Sequence, residues 1–375
     1  MSNSWVEVSK KTILSNLAQY QKVVGPQVAI MPIVKSNAYG HGMIAVAKLV
    51  APKVKWIGVV NLAEGLVLRQ NGIRKRIMVL SYCQPELLEG GIKQNIELPI
   101  YDLSQARVIS SIAKKIKKIA RVHVKVDTGA TRIGILASQA SDFIKKISQL
   151  PNIKIEGIFS HFAASEENKK YTRQQLAVFN QILIQLEKSK IKIPYQHFAC
   201  SAATLVEKKS HFNLIRLGLG LYGLWPSGTV KKIAQQQYPW LKLKPALSWK
   251  TNIIQVKDIP AGTKVGYGLT YTAKKRMRIA VLPVGYFEGY DRRLGNFGRV
   301  LIKGKYCPVI GRICMNLMMV DISGIKEVKV SDEVVLLGQQ GKAQINAEEL
   351  AEKIGTINYE VVTRINPVLT RVYLQ

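Results

Sequence analysis

Short apolar runs alternate with amphipathic stretches from about residue 28 to residue 223. The runs predict β-strands, and the stretches, with apolar residues every three or four positions, predict helices. The predicted strands are 28–35, 56–60, 76–80, 97–101, 121–127, 155–162, 195–200 and 212–219, and the clearest helical stretches are 61–71, 104–118, 137–149 and 166–190. Eight such alternations predict a closed (β/α)8 TIM barrel, an α/β fold, rather than an open sheet.

The pattern changes after about residue 240, where strand-like runs separated by turn signals replace the alternation. The runs are 247–256, 277–284, 299–302, 317–322 and 333–337, and only 346–354 has clear helical periodicity, with Asn346 as its N-cap. We therefore predict a barrel domain over 1–238 and a mostly-β domain over 239–375. The stretch 235–239 marks their junction.

Composition and termini restrict the class of protein. Of the 375 residues, 47% are hydrophobic and 21% are charged, which is typical of a soluble globular chain. No apolar run approaches the roughly 20 residues that span a bilayer, and the segment 1–8 alternates like a strand without the apolar core of a signal peptide. We expect a cytoplasmic protein with no membrane partner. The four cysteines (Cys83, Cys200, Cys307 and Cys314) form no metal-binding spacing, so free thiols and no metal site are expected.

The formal net charge is +31, from 55 basic and 24 acidic residues. Such a charge suggests a nucleic-acid partner. The lysines are nevertheless scattered through predicted helices and loops, as in 113–118, and no recognition motif accompanies them. The pattern favours a solvated surface over a specific nucleic-acid site, with nonspecific adsorption to polyanions at low salt.

Polar residues stand at five of the predicted strand ends. They are Lys35, Lys125 with Asp127, His161, Ser201, and Arg216 with Gly218. Because functional groups of a (β/α)8 barrel gather at the carboxyl ends of its strands, these residues form a candidate site. Desolvation at the end of an apolar strand lowers the pKa of a lysine and suits Lys35 to Schiff-base chemistry, although a surface lysine with an apolar stem fits the same pattern. Alternation along 121–127 points Lys125 into the barrel, where an uncompensated ammonium group is costly.

Motifs along nearly the whole chain resemble those of the alanine racemase family. The first is Val34-Lys35-Ser36-Asn37-Ala38-Tyr39-Gly40-His41-Gly42, similar to that family's cofactor-lysine signature. The others, in the family's order, are Lys125-Val126-Asp127-Thr128-Gly129, Arg132-Ile133-Gly134, Ser160-His161-Phe162, Ser201-Ala202-Ala203, Arg216-Leu217-Gly218, Gly266-Tyr267-Gly268, Pro283-Val284-Gly285-Tyr286, Gly311-Arg312-Ile313-Cys314-Met315 and Ile357-Asn358-Tyr359-Glu360. The resemblance implies interconversion of L- and D-alanine with pyridoxal 5'-phosphate, supplying D-alanine for peptidoglycan.

The resemblance also implies roles for individual residues. Lys35 would bind pyridoxal phosphate and act as the base for D-alanine, and Tyr267 would be the opposing base for L-alanine, reaching the cofactor from the partner subunit of a homodimer. Arg216 would face the pyridine nitrogen and, as a permanent donor, keep it unprotonated, which favours racemisation. The remaining implied contacts are phosphate binding by Tyr39, Ser201, Gly218, Leu219 and Tyr359, cofactor-ring packing by His161, substrate binding by Arg132 and Met315, and a substrate entrance at Tyr286.

Two of these site residues, Lys125 and Ser201, have a second interpretation besides the role that the resemblance implies. Relatives carry a carbamylated lysine at the position of Lys125, so the resemblance implies an anionic carbamate that orients Arg132. Alternatively, Lys125 pairs directly with Asp127 or another carboxylate. Ser201 fits a helix N-cap as well as a phosphate contact.

Departures from the family pattern leave the substrate range open. Asn316 stands where relatives usually carry Asp, and Ala130-Thr131 replaces the commoner Met-Gly. A broader racemase, acting on serine or other small amino acids, is therefore the main alternative. A non-catalytic pyridoxal-phosphate carrier would end after the barrel, whereas this chain continues over 239–375 with Tyr267. A nucleic-acid-binding protein is suggested by charge alone.

Overall fold

The computed structural model describes residues 3–375, which divide into two compact units. The barrel unit comprises Ile13–Ala38 and Met43–Lys244. The β unit comprises the N-terminal residues up to Thr12, the short segment Tyr39–Gly42, and Pro245–Gln375. The first two residues of the strand expected at the N-terminus lie outside the described residues. The domain boundary at 238/239 stays a prediction.

Eight parallel strands form the barrel, as the alternation predicted. They are Ala29–Pro32, Trp56–Val59, Arg76–Val79, Ile96–Ile100, Ala120–Asp127, Ile153–Phe159, Tyr195–His197 and Leu214–Leu217. The second to the seventh form one continuous parallel sheet, and the eighth pairs in parallel with the first. An isolated parallel bridge from Ile33 to Gly58 links the first strand to the second, and the Arg216 N–H donates to the Ala199 carbonyl at 3.0 Å beside the seventh strand. The predicted (β/α)8 architecture is confirmed.

The barrel strands are apolar on both faces because helices cover them. Trp56–Val59 and Ile96–Ile100 are buried at every position, which is typical of a parallel sheet packed on both sides. The helices of this region are Lys10–Val24, Met43–Val50, Leu62–Gln70, Leu88–Lys93, Leu103–Lys115, Ala140–Ser148, Lys169–Lys188, Ser201–Val206 and Gly228–Gln237. Leu103–Lys115 shows why they form: the Asp102 carboxylate accepts the Gln105 N–H at 2.9 Å as the N-cap, and the buried residues recur at helical spacing.

A nine-strand path of mostly antiparallel pairs forms the main sheet of the β unit. Its order is Gln255–Ile259, Met277–Leu282, Met318–Asp321, Lys305–Ile310, Arg299–Ile302, Glu333–Gln340, Leu247–Asn252, Ser4–Ser9 and Thr370–Leu374. The last two strands pair in parallel, and Ala343–Ile345 adds to the edge of Glu333–Gln340. The predicted continuous strand 247–256 is wrong, because it divides into two strands. The mostly-β character is confirmed.

Two helices complete the β unit. Ala347–Ile354 begins after Asn346, whose side chain accepts the Glu349 N–H at 2.7 Å, as predicted. Asn358–Thr363 is a second short helix that periodicity did not indicate. A two-stranded hairpin, Lys264–Val265 with Tyr271–Thr272, carries the Tyr267 loop. Among the described residues, no helix has the length and apolar character needed to cross a membrane.

Candidate active site

Lys35 opens a left-handed turn at the carboxyl end of the first barrel strand. Ser36, Asn37, Ala38 and Tyr39 all have φ between 53° and 54°. A left-handed conformation costs a non-glycine residue about 1–2 kcal/mol, so such a run persists only where its surroundings hold it. The Ser36 N–H donates to Glu64 Oε1 at 2.7 Å, and the Asn37 side chain accepts the Met43 N–H at 3.0 Å. The turn therefore fixes the backbone of Lys35 at the barrel mouth.

Glu64 ties this turn to the second strand and the helix after it. Its second oxygen accepts the Val60 N–H at 2.8 Å, and its own N–H donates to Asn61, the N-cap of Leu62–Gln70. Sequence reasoning did not single out Glu64. The Asn61-to-Glu64 spacing signals a helix start, but nothing in it indicates a reach to residue 36.

The pKa of the Lys35 ammonium group is lowered, in the direction expected at the end of an apolar strand. Burial is the main cause, the nearby Arg132 charge lowers the pKa further, and Glu64 opposes the shift. A lowered pKa increases the fraction of neutral amine, which is the nucleophilic form.

Lys125 lies on the inner face of Ala120–Asp127 and is 6% exposed. Its Nζ donates to the Leu80 carbonyl at 3.0 Å and lies 5.5 Å from the centre of the Phe159 ring. Burial, then the charges of Arg132 and Arg216, lower the pKa of Lys125 to about 8. The ion pairs of the described residues include none that joins Lys125 to a carboxylate. The interpretation that it pairs directly with Asp127 is therefore wrong.

Asp127 instead organises the loop that carries Arg132. Its Oδ1 accepts the N–H groups of Gly129, Ala130 and Thr131 at 2.9, 2.9 and 3.1 Å, and its Oδ2 accepts the Arg132 N–H at 3.1 Å. Burial raises the pKa of Asp127, but these backbone donors outweigh it and hold the pKa below its ordinary value. The carboxylate thus fixes the position from which the Arg132 side chain extends.

Arg216 is 5% exposed, and both of its terminal nitrogens donate to fixed acceptors. One binds His197 Nδ1 and the His197 carbonyl, both at 2.9 Å. The other binds the Ser160 and Phe198 carbonyls at 2.6 and 3.0 Å and His161 Nδ1 at 3.2 Å. Among the described residues, Arg216 Nε forms no hydrogen bond. Burial lowers the pKa of Arg216 to about 10, far enough above neutrality for the group to remain a cationic donor.

A buried chain of hydrogen bonds continues from Arg216 into the barrel. Since the guanidinium group donates to His197 Nδ1, the Nε2–H of His197 must donate to His123 Nδ1 at 3.0 Å. His123 Nε2–H then donates to Glu97 Oε2 at 2.8 Å, and Glu97 also binds Arg76. We call Arg216, His197, His123 and Glu97 the axial relay. It defines one tautomer for each imidazole and places a buried carboxylate three groups away from Arg216.

Ser201 and the turn after the eighth strand form a second polar group. Ser201 Oγ accepts the N–H groups of Gly218 and Gly220 at 3.0 and 3.2 Å, which leaves its hydroxyl proton for another acceptor. Leu219 begins the buried short helix Leu219–Tyr222. The N-cap interpretation of Ser201 is wrong, because Cys200 occupies the cap position.

Tyr39 and Tyr359 lie together in the β unit, with ring centroids 6.3 Å apart. The segment Tyr39–Gly42 is held there by the C-terminal strand. Arg371 Nε donates to the Gly40 carbonyl and the Tyr373 hydroxyl donates to the His41 carbonyl, both at 3.1 Å. Gly40 has φ of 84°, and a Cβ there would collide with the Val362 carbonyl. The two predicted phosphate-binding phenols therefore share one well-packed region.

Tyr267, Tyr286 and Met315 lie on exposed loops of the β unit, with 73%, 43% and 55% exposure. The Tyr286 N–H donates to the Cys314 carbonyl at 3.1 Å, which joins the Tyr286 and Met315 loops. Gly268, beside Tyr267, has φ of 71° and packs on the Arg312 side chain of the latter loop. The phenol of Tyr267 is thus exposed on a turn that packs against the adjoining loop.

A carboxylate stands beside the position where this chain departs from the family pattern. Asn316 Nδ2 donates to Glu288 Oε1 at 2.8 Å, and the Gly285 N–H donates to the other oxygen of Glu288. The negative charge that Asn316 lacks is therefore present on its immediate neighbour.

Comparisons with known proteins follow the same two-part division. The family model of the alanine racemase N-terminal domain matches residues 8–226, and the family model of the C-terminal domain matches residues 246–373. The chain belongs to the alanine racemase family. It is 41% identical to the alanine racemase of Halothermothrix orenii, over 99% of this chain and 96% of that one. It is 40% identical to that of Methanococcus maripaludis, over 99% and 98%. The solved alanine racemase of Clostridium difficile 630 is 37% identical, with a TM-score of 0.94 over 100% of this chain and 96% of that one.

Family membership confirms the resemblance and the expectation of an enzyme, an amino-acid isomerase. The structure places the predicted alanine racemase residues in three groups. The β unit holds two of these groups: Tyr39 with Tyr359, and Tyr267, Tyr286 and Met315 on adjoining loops. The third group lies in the barrel unit and comprises Lys35, Lys125, Arg132, His161, Ser201, Arg216, Gly218 and Leu219. The barrel group is rich in cations: burial first, and then the charges of Arg216, Arg132, Lys125 and Lys35, lower the pKa of His161 well below its ordinary value. Such a group suits anionic ligands.

Proposed function

We propose that this chain interconverts L- and D-alanine with pyridoxal 5'-phosphate bound to Lys35. The observation that carries the proposal is Arg216, which is buried with both terminal nitrogens committed and Nε left to donate, in the same barrel mouth as a lysine of lowered pKa. An arginine so fixed suits the pyridine nitrogen of the cofactor. A carboxylate at that position would instead favour a protonated ring.

The chemistry of the barrel residues fits the cofactor. Lys35 supplies the amine for the covalent link, and Arg216 Nε the donor to the ring nitrogen. The Ser201 hydroxyl group, the Leu219 N–H and the phenols of Tyr39 and Tyr359 are assigned to the phosphate by resemblance. The Gly218 N–H already meets Ser201 Oγ, so we assign Gly218 the role of orienting that hydroxyl group. When bound, pyridoxal phosphate supplies the electron-withdrawing group that makes the substrate Cα–H acidic.

Racemisation requires a proton to leave Cα on one face and return on the other. We assign Lys35 Nζ to one face and Tyr267 Oη to the opposite face. Arg132, held through Asp127, binds the substrate carboxylate, and Met315 and Tyr286 contact or admit the substrate. The exposure of Tyr267 supports its assignment to the active site of a second copy of the chain in a homodimer. His161 accepts from Arg216 and, by resemblance, would pack beside the cofactor ring.

The physiological role follows from the proposed activity. A cytoplasmic alanine racemase supplies D-alanine for peptidoglycan, and we propose that role here. The alternative is a broader racemase for serine and other small amino acids, which the Asn316–Glu288 pair favours because an amide and a carboxylate offer hydrogen bonds to a polar side chain.

The test is Tyr267→Phe, assayed in both directions with alanine and then with serine and lysine. General acid–base groups contribute about 100- to 10,000-fold to rates, so we expect a loss of that size toward L-alanine. The bound cofactor should persist, as measured by its visible absorbance, because Lys35 and Arg216 are untouched. Full activity in this variant contradicts the two-base assignment. Equal turnover of alanine and serine by the wild type would instead establish the broader substrate range.

A further inference from the structure

Lysines concentrate in the connections that lead from a barrel helix into the next strand. The exposed basic residues of these connections and the adjoining helix ends are Lys53, Lys55, Arg74, Lys93, Lys114, Lys115, Lys117, Lys118, Lys145, Lys146, Lys188, Lys190, Lys192, Lys208 and Lys209. The net charge of the chain is therefore not spread evenly over the barrel unit.

The topology places these connections on one face. Because all eight strands are parallel, the chain enters each strand from the same end of the barrel. That end is opposite the carboxyl ends that carry Lys35 and Ser201. We call the resulting surface the basic face.

Few carboxylates compensate the basic face. The buried Glu97 and Glu156 at this end of the barrel are already bound by Arg76, Arg121 and Lys154. Lys93 and Lys145 pair with Glu89 and Asp142 within their own helices. For the other basic residues of this face, the ion pairs of the described chain include no partner. Like charges so arranged repel one another and do not stabilise the fold.

The basic face also has a recess of about 280 Å³ between two of its connections. Lys48, Arg74 and Lys75 line it together with Ala51, Pro52, Gly72 and Ile73. Three basic residues therefore lie around one recess of this face.

We propose, against the expectation of no membrane partner, that the basic face docks on the surface of an anionic lipid bilayer through phosphate headgroups. Its charges are mostly lysines, hydrated point charges that suit a diffuse anionic surface, whereas arginine forks and aromatic stacking platforms are the usual means of binding nucleic acid. These lysines surround one end of the barrel, so they match a flat anionic surface better than a groove. Ile119, 56% exposed beside Lys118, offers an apolar contact at headgroup depth. Docking is peripheral and leaves the opposite end of the barrel facing away from the bilayer.

The test is co-sedimentation of the full chain with vesicles of phosphatidylcholine, with and without phosphatidylglycerol, at about 0.1 M salt. The face variant carries Lys55→Glu, Lys118→Glu, Lys192→Glu and Lys208→Glu, from four different connections. The matched control carries Lys257→Glu, Lys326→Glu, Lys329→Glu and Lys342→Glu, exposed lysines of the β unit, and has the same net charge.

We expect the wild type and the control to bind only the anionic vesicles. Since each lysine near such a surface contributes about 1 kcal/mol, the face variant should partition at least about a hundredfold less. Racemase activity should be unchanged in both variants, which shows that they are folded. An equal loss in both variants overturns the proposal, since it would make binding a property of total charge. Tighter binding of wild type to duplex DNA than to anionic vesicles, measured by competition, also overturns it.

Discussion

At the scale of single residues, the structure explains why two departures from the family pattern are tolerated. Asn316 removes a charge that Glu288 supplies at 2.8 Å, so an Asp at 316 would place two carboxylates in contact. Thr131 has φ of 50°, a conformation suited to the Gly that relatives usually have and strained for a β-branched residue. The Thr131 N–H donates to the Asp127 carboxylate, and this hydrogen bond holds Thr131 in that conformation.

Thr131→Gly should relieve this strain. Removing the left-handed strain stabilises the folded state by about 1–2 kcal/mol. Glycine also gives the unfolded chain more conformational entropy, which offsets about 0.5–1 kcal/mol of that stabilisation. We therefore expect the free energy of unfolding to rise by up to about 1 kcal/mol, measured by urea denaturation. The control is Ala130→Gly, whose conformation needs no glycine and which should lower stability. A lower stability for Thr131→Gly would refute the strain argument.

Lys125 is suited to carbamylation because its pKa of about 8 leaves a substantial neutral fraction near neutral pH. The neutral amine attacks carbon dioxide and releases a proton, so modification should increase as the pH rises through about 8. With ¹³C-labelled bicarbonate, we expect a protein-bound carbamate signal by NMR that Lys125→Arg removes and Lys146→Arg keeps. An intact mass showing only unmodified lysine, under gentle conditions at pH 8.5, would count against it.

At the scale of elements, the site depends on neighbouring strands that align buried polar residues. Glu97, His123 and His197 come from Ile96–Ile100, Ala120–Asp127 and Tyr195–His197, and each points into the barrel. Burial raises the pKa of Glu97, but the hydrogen bonds and charges of His123 and Arg76 outweigh burial and hold the Glu97 pKa below its ordinary value. A buried anion is thus maintained at the far end of the axial relay from Arg216.

His123→Phe should interrupt the relay while keeping the volume of the ring. Loss of an outer hydrogen-bond partner of a site commonly costs about 10- to 100-fold, and we expect kcat to fall by about tenfold with KM nearly unchanged. The visible spectrum of the bound cofactor should shift, because His197 is no longer oriented toward Arg216. His211→Phe is the control for burial alone, since within residues 3–375 the buried His211 imidazole hydrogen-bonds to the Thr204 carbonyl and to no other group. Identical kinetics and spectra in His123→Phe and wild type would show that the relay is merely structural.

The strands were predictable because continuous apolar runs bounded by turn residues mark buried parallel strands. Several observed strands end a few residues before the predicted ends, because polar loop residues follow the strand directly. The same rule predicted that Lys35, His161 and Ser201 lie at strand ends. The left-handed turn at Ser36–Tyr39 was not predictable, since no glycine marks it. Glu64 and the axial relay were also not predicted, because hydrogen bonds between residues 19 to 74 positions apart have no local sequence signal.

At the scale of the whole molecule, the proposed homodimer makes a quantitative prediction. Lys35→Ala and Tyr267→Phe remove groups that we assign to the same site but to different subunits. Mixing the two inactive variants in equal amounts and allowing subunit exchange should restore activity to about a quarter of wild type, since half the dimers are mixed and each has one intact site. Mixing Lys35→Ala with Lys35→Ala,Tyr267→Phe is the control and should restore nothing. Absence of recovery in the first mixture, with exchange verified by mass, would place both groups in one subunit.

The route of the polypeptide also sets the order of events during synthesis. Gly40 receives its partner from Arg371, 331 positions later, and His41 from Tyr373, 332 positions later. The ribosome must therefore synthesise the chain as far as residue 373 before Gly40 and His41 can form these hydrogen bonds, although all eight barrel strands are made earlier. A nascent chain stalled after residue 244 would therefore contain all eight barrel strands but lack the hydrogen-bond partners of Gly40 and His41.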